Sequence, residues 1–435
     1  MPMPSPIFKV NACLAAGLAL TSSLLPSSSA RADFSPLQPA QQDELQRNLQ
    51  SYISLEQNGA QTPLDRPIDA SSVDWLNAIE LVQDQTGTPI SIKTFFTADE
   101  ISQWPLASQV RAIRMQVLSG AEFAPLEQSL QEQLKQALKR HQLGSATIGE
   151  MNNLRASGVR SGDASWERIF SEFRLQYPKE TALFDRLSGT QPVLTSQAVY
   201  DLFWVKPTIN LYDNGAYDDK PRLFLFCRQN RNYPCLRVMK DQNDNPVRNA
   251  DGSLWSLPGL ALSQFGKPYN VSDGNTPQGV HLVDGVIQDG SDPMGFGKFS
   301  RIVLDFVPES PNEANTMLLL PESSQDLDWW QEAVVARNVG RGLLRLHGTG
   351  EINTDPSSLY YPLTPTDGCV SSRENTYGQT TYTDQLELLD TWQESEGLAP
   401  STANETKIGG LLYVINLDDQ TAPVSLSDLA SYGIK

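Results

Sequence analysis

Two residues near the C-terminal end have the types and spacing for acyl transfer. They are His347, in Leu346-His347-Gly348-Thr349, and Cys369, in Thr366-Asp367-Gly368-Cys369-Val370. The 435-residue chain holds only three histidines and four cysteines, so one of each inside a single glycine-punctuated stretch is a strong local signal. A thiol attacks only as its thiolate, and an imidazole is the usual group that takes the proton. The pair therefore points to chemistry through a thioester. Gly368 lets a substrate carbonyl come close to the backbone. The successive N–H groups of Asp367, Gly368 and Cys369 are then the natural donors to an oxyanion. The plainer alternative for Cys369 is a buried structural thiol. His281 reads as a satisfied strand histidine and His141 as a surface helix residue.

The elements that must hold this pair read as strands and turns. His347 closes an apolar run, residues 342–346, and a histidine at a strand end sits at the rim of a sheet, where loops gather. Cys369 follows a turn-forming segment, residues 363–368. From about residue 196 onward, short apolar runs alternate with Gly, Pro, Asn and Asp clusters: residues 209–212, 223–227, 236–239, 280–283, 302–307, 343–347 and 411–415. That rhythm predicts a sandwich or barrel, with helical insertions near residues 327–337 and 383–394. Residues 241–253 alternate Asp and Asn but lack the glycine and distal glutamate of a calcium loop, so they read as a hairpin turn.

Upstream the pattern changes. Leu126, Leu130, Leu134 and Leu138 recur every fourth residue between polar neighbours, which marks an amphipathic helix. Val110, Ile113 and Val117 form a second stripe, and Trp166, Ile169, Phe170 and Phe173 a third. Leu45, Leu49, Tyr52 and Ile53 outline a first helix. Residues 41–189 predict five to seven helices. The expected class is α+β and multidomain: a signal segment at 1–32, an all-α domain at 33–195, and a mainly β domain with helical insertions at 196–435.

The start of the chain reads as an export signal. Lys9 precedes an apolar run, residues 13–25, and Ala30-Arg31-Ala32 supplies a small-x-small cleavage pattern. That run is too short to span a bilayer, and no later segment is apolar for long enough, so no integral membrane segment is expected after cleavage. The net charge of −18 becomes about −20 without Lys9 and Arg31, which disfavours nucleic acid and anionic membrane surfaces as partners. Loss of Cys13 leaves three cysteines. Cys227 and Cys235 flank a polar turn between two apolar runs, as a disulfide-bridged hairpin or as two reduced cysteines packed in a sheet. Cys369 is left over in both cases. The spacing of cysteines and histidines predicts no metal site.

These motifs resemble the catalytic domain of the L,D-transpeptidases, the YkuD-like family of cell-wall cross-linking enzymes. The matching features are His347-Gly348-Thr349, then Thr366-x-Gly368-Cys369-Val370. An upstream Asn275-Thr276-Pro277-Gln278-Gly279-Val280, a downstream helix at 383–394 and a closing strand at 411–415 complete the order. The resemblance covers about residues 200–420. It implies an exported enzyme of the periplasm or cell wall, needing no cofactor. The Gly348 carbonyl would orient His347, and the Cys369 thiolate would attack a peptidoglycan tetrapeptide stem, expelling the terminal D-alanine. An amine of a neighbouring stem would take the thioester as a cross-link; water would make the protein a carboxypeptidase, and a protein amine an anchoring enzyme. Thr349, Thr366, Arg373 and Tyr361 are the expected substrate-binding residues, and a carbapenem is the expected inhibitor. Two positions depart from the family: Asp367 stands where a basic residue is common, and Ser371 where Asn or Arg is usual. The helix–Gly–helix stretch at 134–156 resembles small peptidoglycan-binding modules, and two alternatives stay open: a wall-peptide hydrolase of the same fold and a catalytically inactive peptidoglycan-binding protein.

Overall fold

The computed structural model describes residues 41, 44–51, 70–120, 124–158, 160–189, 193–207, 212–288, 292–308 and 314–435. The signal-like segment, the helical positions Tyr52 and Ile53, and residues 209–211 lie outside the described residues.

The helical half follows from its stripes. Helix α1 (Ser72–Thr86) begins at a capping box in which Ser71 and Asp74 satisfy each other's backbone N–H groups, and it ends at Gly87 in the left-handed conformation. Helices α2 (Leu106–Leu118), α3 (Ala124–Lys139), α4 (Ser145–Ala156), α5 (Ala164–Gln176) and α6 (Pro178–Gly189) follow. The four leucines of α3 are its four buried residues. They join Val110 and Ile113 of α2, Trp166, Ile169, Phe170 and Phe173 of α5, and Trp75, Leu76 and Ile79 of α1 in one apolar core. Val117 packs at its edge.

Helix α7 (Ser196–Trp204) leads into the sheet. The strands are β1 (Arg222–Arg228), β2 (Cys235–Lys240), β3 (Leu257–Gly259), β4 (Gly279–Ile287), β5 (Arg301–Phe306), β6 (Leu344–His347), β7 (Val370–Ser371) and β10 (Gly410–Asp418). Their order is β3-β2-β1-β10-β4-β5-β6-β7, with β8 (Glu374–Tyr377) and β9 (Thr380–Thr383) a separate hairpin. Pairs β1–β10 and β6–β7 are parallel and the other pairs of the large sheet are antiparallel. Just beyond β3, Leu260 exchanges backbone hydrogen bonds with Ser371 of β7 (3.1 and 2.9 Å), so the two edges of the sheet meet and it nearly closes. Closure removes exposed edges, the state a long mixed sheet otherwise has to protect.

Both faces of the sheet are covered. Successive side chains of a strand point to opposite sides: Leu223, Leu225 and Cys227 of β1 enter one core with Leu304, Leu346, Leu388 and Trp392, while Phe224 and Phe226 enter another with Val199, Phe203, Trp330 and Tyr413. All seven residues of β1 are buried. Helices α8 (Gln331–Asn338) and α9 (Asp384–Ser395) fall at the two expected insertions. The strands β3, β7, β8 and β9 went unread from sequence, being two to four residues long, too short for alternation to register.

The described residues from 41 to 435 group as one compact unit. Helix α4 lies on α8 so closely that a Cβ added at Gly149 would sit 2.9 Å from Val339. Arg111 donates to Ser272 Oγ, Asn153 Nδ2 to the Asn270 carbonyl (3.0 Å), and Lys267 pairs with Asp84. Most of α4 is buried, Met151 and Leu154 in the helical core and Asn153 in this joint. Cys227 and Cys235 are joined by a disulfide across the β1–β2 turn, and Cys369 is the free cysteine among the described residues. In the 241–253 stretch Asp241 Oδ1 accepts from the N–H groups of Asn243 and Asn245 (2.9 and 2.8 Å), a turn built by its own side chain.

Candidate active site

Strands β6 and β7 bring the two chemical residues together. Their parallel register sets Leu346 beside Val370 and His347 beside Ser371. Continued back by one residue, it sets Cys369 beside Arg345. Parallel neighbours in register share a face, so Arg345, His347 and Cys369 lie on one side, and all three line the same cavity of about 330 Å³. The same cavity is lined by Asp367, Thr366, Thr349, Phe296 and, from the helical half, Asn77, Leu81 and Gln85.

His347 is 2% exposed, and its Nδ1 donates to the carbonyl of Gly348. A carbonyl only accepts, so the ring carries its proton on Nδ1 and leaves Nε2 as the basic nitrogen. The ring meets Phe296 edge-on with centroids 5.0 Å apart. Burial first, then the cations of Arg345, Arg301 and Arg237, push the imidazole down to about 3, against the opposing pull of the Gly348 carbonyl. His347 is therefore neutral at physiological pH.

Cys369 is 6% exposed, and its thiol donates to the carbonyl of Leu343 at 3.6 Å rather than to the imidazole. Burial pushes the thiol up to about 11, with Arg345 and Arg341 pulling it back and Asp367 adding to the rise. The resting pair is a neutral thiol beside a neutral imidazole. Leu343 supplies that carbonyl from a left-handed backbone (φ +58°), a conformation uncommon for a leucine.

The loop before Cys369 is held from several directions. Thr276 Oγ1 donates to the Gly368 carbonyl (2.9 Å) and Thr366 Oγ1 to the Cys369 carbonyl (2.9 Å). In a trans peptide the N–H points opposite to its C=O, so the Cys369 N–H is turned away from Thr276. Gly368 sits at φ +93°, and a Cβ there would lie 2.6 Å from both Arg341 Nη2 and the Gly274 carbonyl. Gly348 is equally confined, because an added Cβ would strike the Glu374 carboxylate. Behind the strands, Arg237 reaches Ser372 Oγ and the Ser371 carbonyl (2.7 and 2.9 Å), and Gln385 joins Ser372 to the Leu346 carbonyl (2.8 and 3.1 Å). This network ties β6 to β7.

The remaining residues singled out from sequence divide into two groups. Thr349 lines the cavity, with its hydroxyl on the Met294 carbonyl (3.1 Å). Asp367 lines it too, accepting from Gln264 and, at 3.4 Å, from Gln85; these are amides and not cations. Ser371 closes the loop by donating to the Thr364 carbonyl (2.7 Å). Arg373 and Tyr361 are not among the lining residues. Arg373 is held by Asp384 at 2.6 Å and lies over Tyr382, and Tyr361 is 38% exposed against Tyr377. His281 is buried on β4 with Nε2 on the Pro277 carbonyl (3.2 Å). Arg345, Arg341 and Phe296 were missed. Arg345 had a signal, two residues before His347 and so on its face in any strand.

No protein-family model, curated protein or solved structure matches this chain. No helix among the described residues is long and apolar enough to cross a membrane, and no group of His, Cys, Asp and Glu among them is arranged to hold a metal ion.

Proposed function

We propose that this protein is an exported cysteine acyltransferase of the L,D-transpeptidase type, acting on peptidoglycan stem peptides in the periplasm or cell wall. The observation that carries the reading is the shared face of His347 and Cys369 at the cavity, with the histidine tautomer set by Gly348 so that Nε2 is basic. Attack begins when Sγ leaves the Leu343 carbonyl by rotation about χ1 and gives its proton to Nε2. The thiolate adds to the stem-peptide carbonyl, with the N–H groups of the 367–369 loop as oxyanion donors. The proton then passes from His347 to the departing D-alanine amine, leaving a thioester. An incoming amine attacks this thioester, loses a proton to His347 and restores the thiol. Water in place of the amine gives a carboxypeptidase. Because both groups rest neutral, the proton transfer is a step of the reaction rather than a property of the resting pair.

The test is the intact mass of the mature protein after exposure to a carbapenem, with Cys369→Ala alongside. A one-drug increase that vanishes in the variant supports the reading. No adduct on a demonstrably free thiol would sink it. That result would favour a peptidoglycan-binding protein without catalysis, a second reading supported by the high-lying thiol and its bond to Leu343 instead of the imidazole.

A further inference from the structure

The helical half contributes a row of side chains to the cavity that holds Cys369. Asn77, Leu81 and Gln85 of α1 all line it, and their spacing of four residues places them on successive turns of one helix face. The row runs about 12 Å at ~1.5 Å of rise per residue, the length of roughly three to four extended residues. Its pattern is carboxamide, aliphatic, carboxamide. That order suits an extended peptide whose backbone amides meet the two ends while an apolar side chain meets Leu81.

The row is fixed in place. Glu80, on the flank of that row, enters the joint, where Arg114 reaches it at 3.1 Å and Arg111 closes the pair. Asp84 is bound by Lys267, Asn77 Oδ1 accepts from Ser272 Oγ at 3.2 Å, and Gln85 donates to Asp367 at 3.4 Å. The last two bonds join α1 to the Ser272 segment and to the cysteine loop itself. A helix clamped this way cannot serve as a separately mobile module without breaking a buried ion network.

We propose that α1 is the substrate-reading wall of the cleft: Asn77, Leu81 and Gln85 bind the extended acyl-donor peptide and set its specificity. This rests on the reading of Cys369 as the acyl-transfer nucleophile. The wall assigns the helical half a direct place in substrate selection.

Thiol labelling tests the wall without requiring acyl transfer. Cys369 is labelled with iodoacetamide and with a maleimide carrying an extended tripeptide, in the intact chain and in Gln85→Trp and Asn77→Trp. The indoles should slow the tripeptide reagent about tenfold and iodoacetamide less than about twofold, the mark of a steric wall rather than of lost thiol reactivity. Gln85 is exposed, so its variant is the one least exposed to folding failure, and thermal midpoints check both. Equal slowing of both reagents, no slowing of either, or no labelling of the unaltered protein would overturn the wall. A carbapenem that leaves no adduct, with size discrimination intact, would remove the acyl-transfer reading and keep the wall.

Discussion

The β1–β2 hairpin and the β6–β7 edge each carry cysteine into the sheet, with opposite consequences. In the hairpin, Cys227 and Cys235 face each other across a turn on strands buried along their whole length, and they close a disulfide. At the edge, Cys369 lies just before a strand of two residues, without a cysteine partner, beside Arg345 and a histidine and against a cavity. The comparison teaches that a thiol's fate follows its neighbours: a second thiol makes it a staple, whereas an oriented imidazole and a cleft give it the setting that the proposed chemistry requires.

The largest expected effect is at the edge. Cys369→Ala should abolish carbapenem adduct formation, and His347→Gln should slow it by about a hundredfold or more, the range of a lost proton acceptor. Removing the hairpin disulfide with Cys227→Ala and Cys235→Ala should leave the acylation rate of the folded protein unchanged. Intact-mass kinetics separate the regions; equal losses at both would break the contrast.

Next is the disulfide's own contribution. It closes a short loop, with a sequence separation of 8 residues. The double alanine variant should therefore lose about 2 kcal/mol of unfolding free energy, read from urea titration.

The protonation states sharpen the comparison further. With the Cys369 thiol pushed up to about 11, iodoacetamide labelling should rise about tenfold per pH unit through neutrality and level off only in strong alkali. A plateau near neutral pH would mean a thiolate–imidazolium pair instead. Acid stability depends on the buried histidines. His347 is held down to about 3 and His281 to about 4, against an ordinary 6.5. The unfolded chain then binds more protons, so this stabilisation is complete above about pH 6.5 and is lost as pH falls toward 4 and then 3. Buried carboxyls whose values are raised by burial, Asp273, Glu332 and Glu150 among them, act in the other direction. The reading is therefore a difference: between about pH 6.5 and 4 the unaltered protein should lose more urea midpoint than His281→Gln.

The smallest effect is in the loop. Thr366→Val removes one hydroxyl donor from the Cys369 carbonyl and should cost about 1 kcal/mol of stability, with acylation slowed while the hairpin keeps its disulfide. Thermal melts and adduct kinetics read both.

Much of this was legible locally. The leucines of α3, the apolar run of β1, and the association of His347 with Cys369 follow from periodicity and residue chemistry, because neighbours in sequence set those features. The short strands β3 and β7 and the salt bridge that holds Arg373 were not legible, since each depends on partners distant in the chain. Chain order alone determined that a histidine ended an apolar run and that a cysteine followed it after a glycine turn. Only the tertiary structure decided that the thiol rests neutral against Leu343, that Arg345 stands beside it while Asp384 holds Arg373, and that α1 lines the cavity. Burial, register and the meeting of Leu260 with Ser371 are properties of packing between remote segments, which no local pattern of residues specifies.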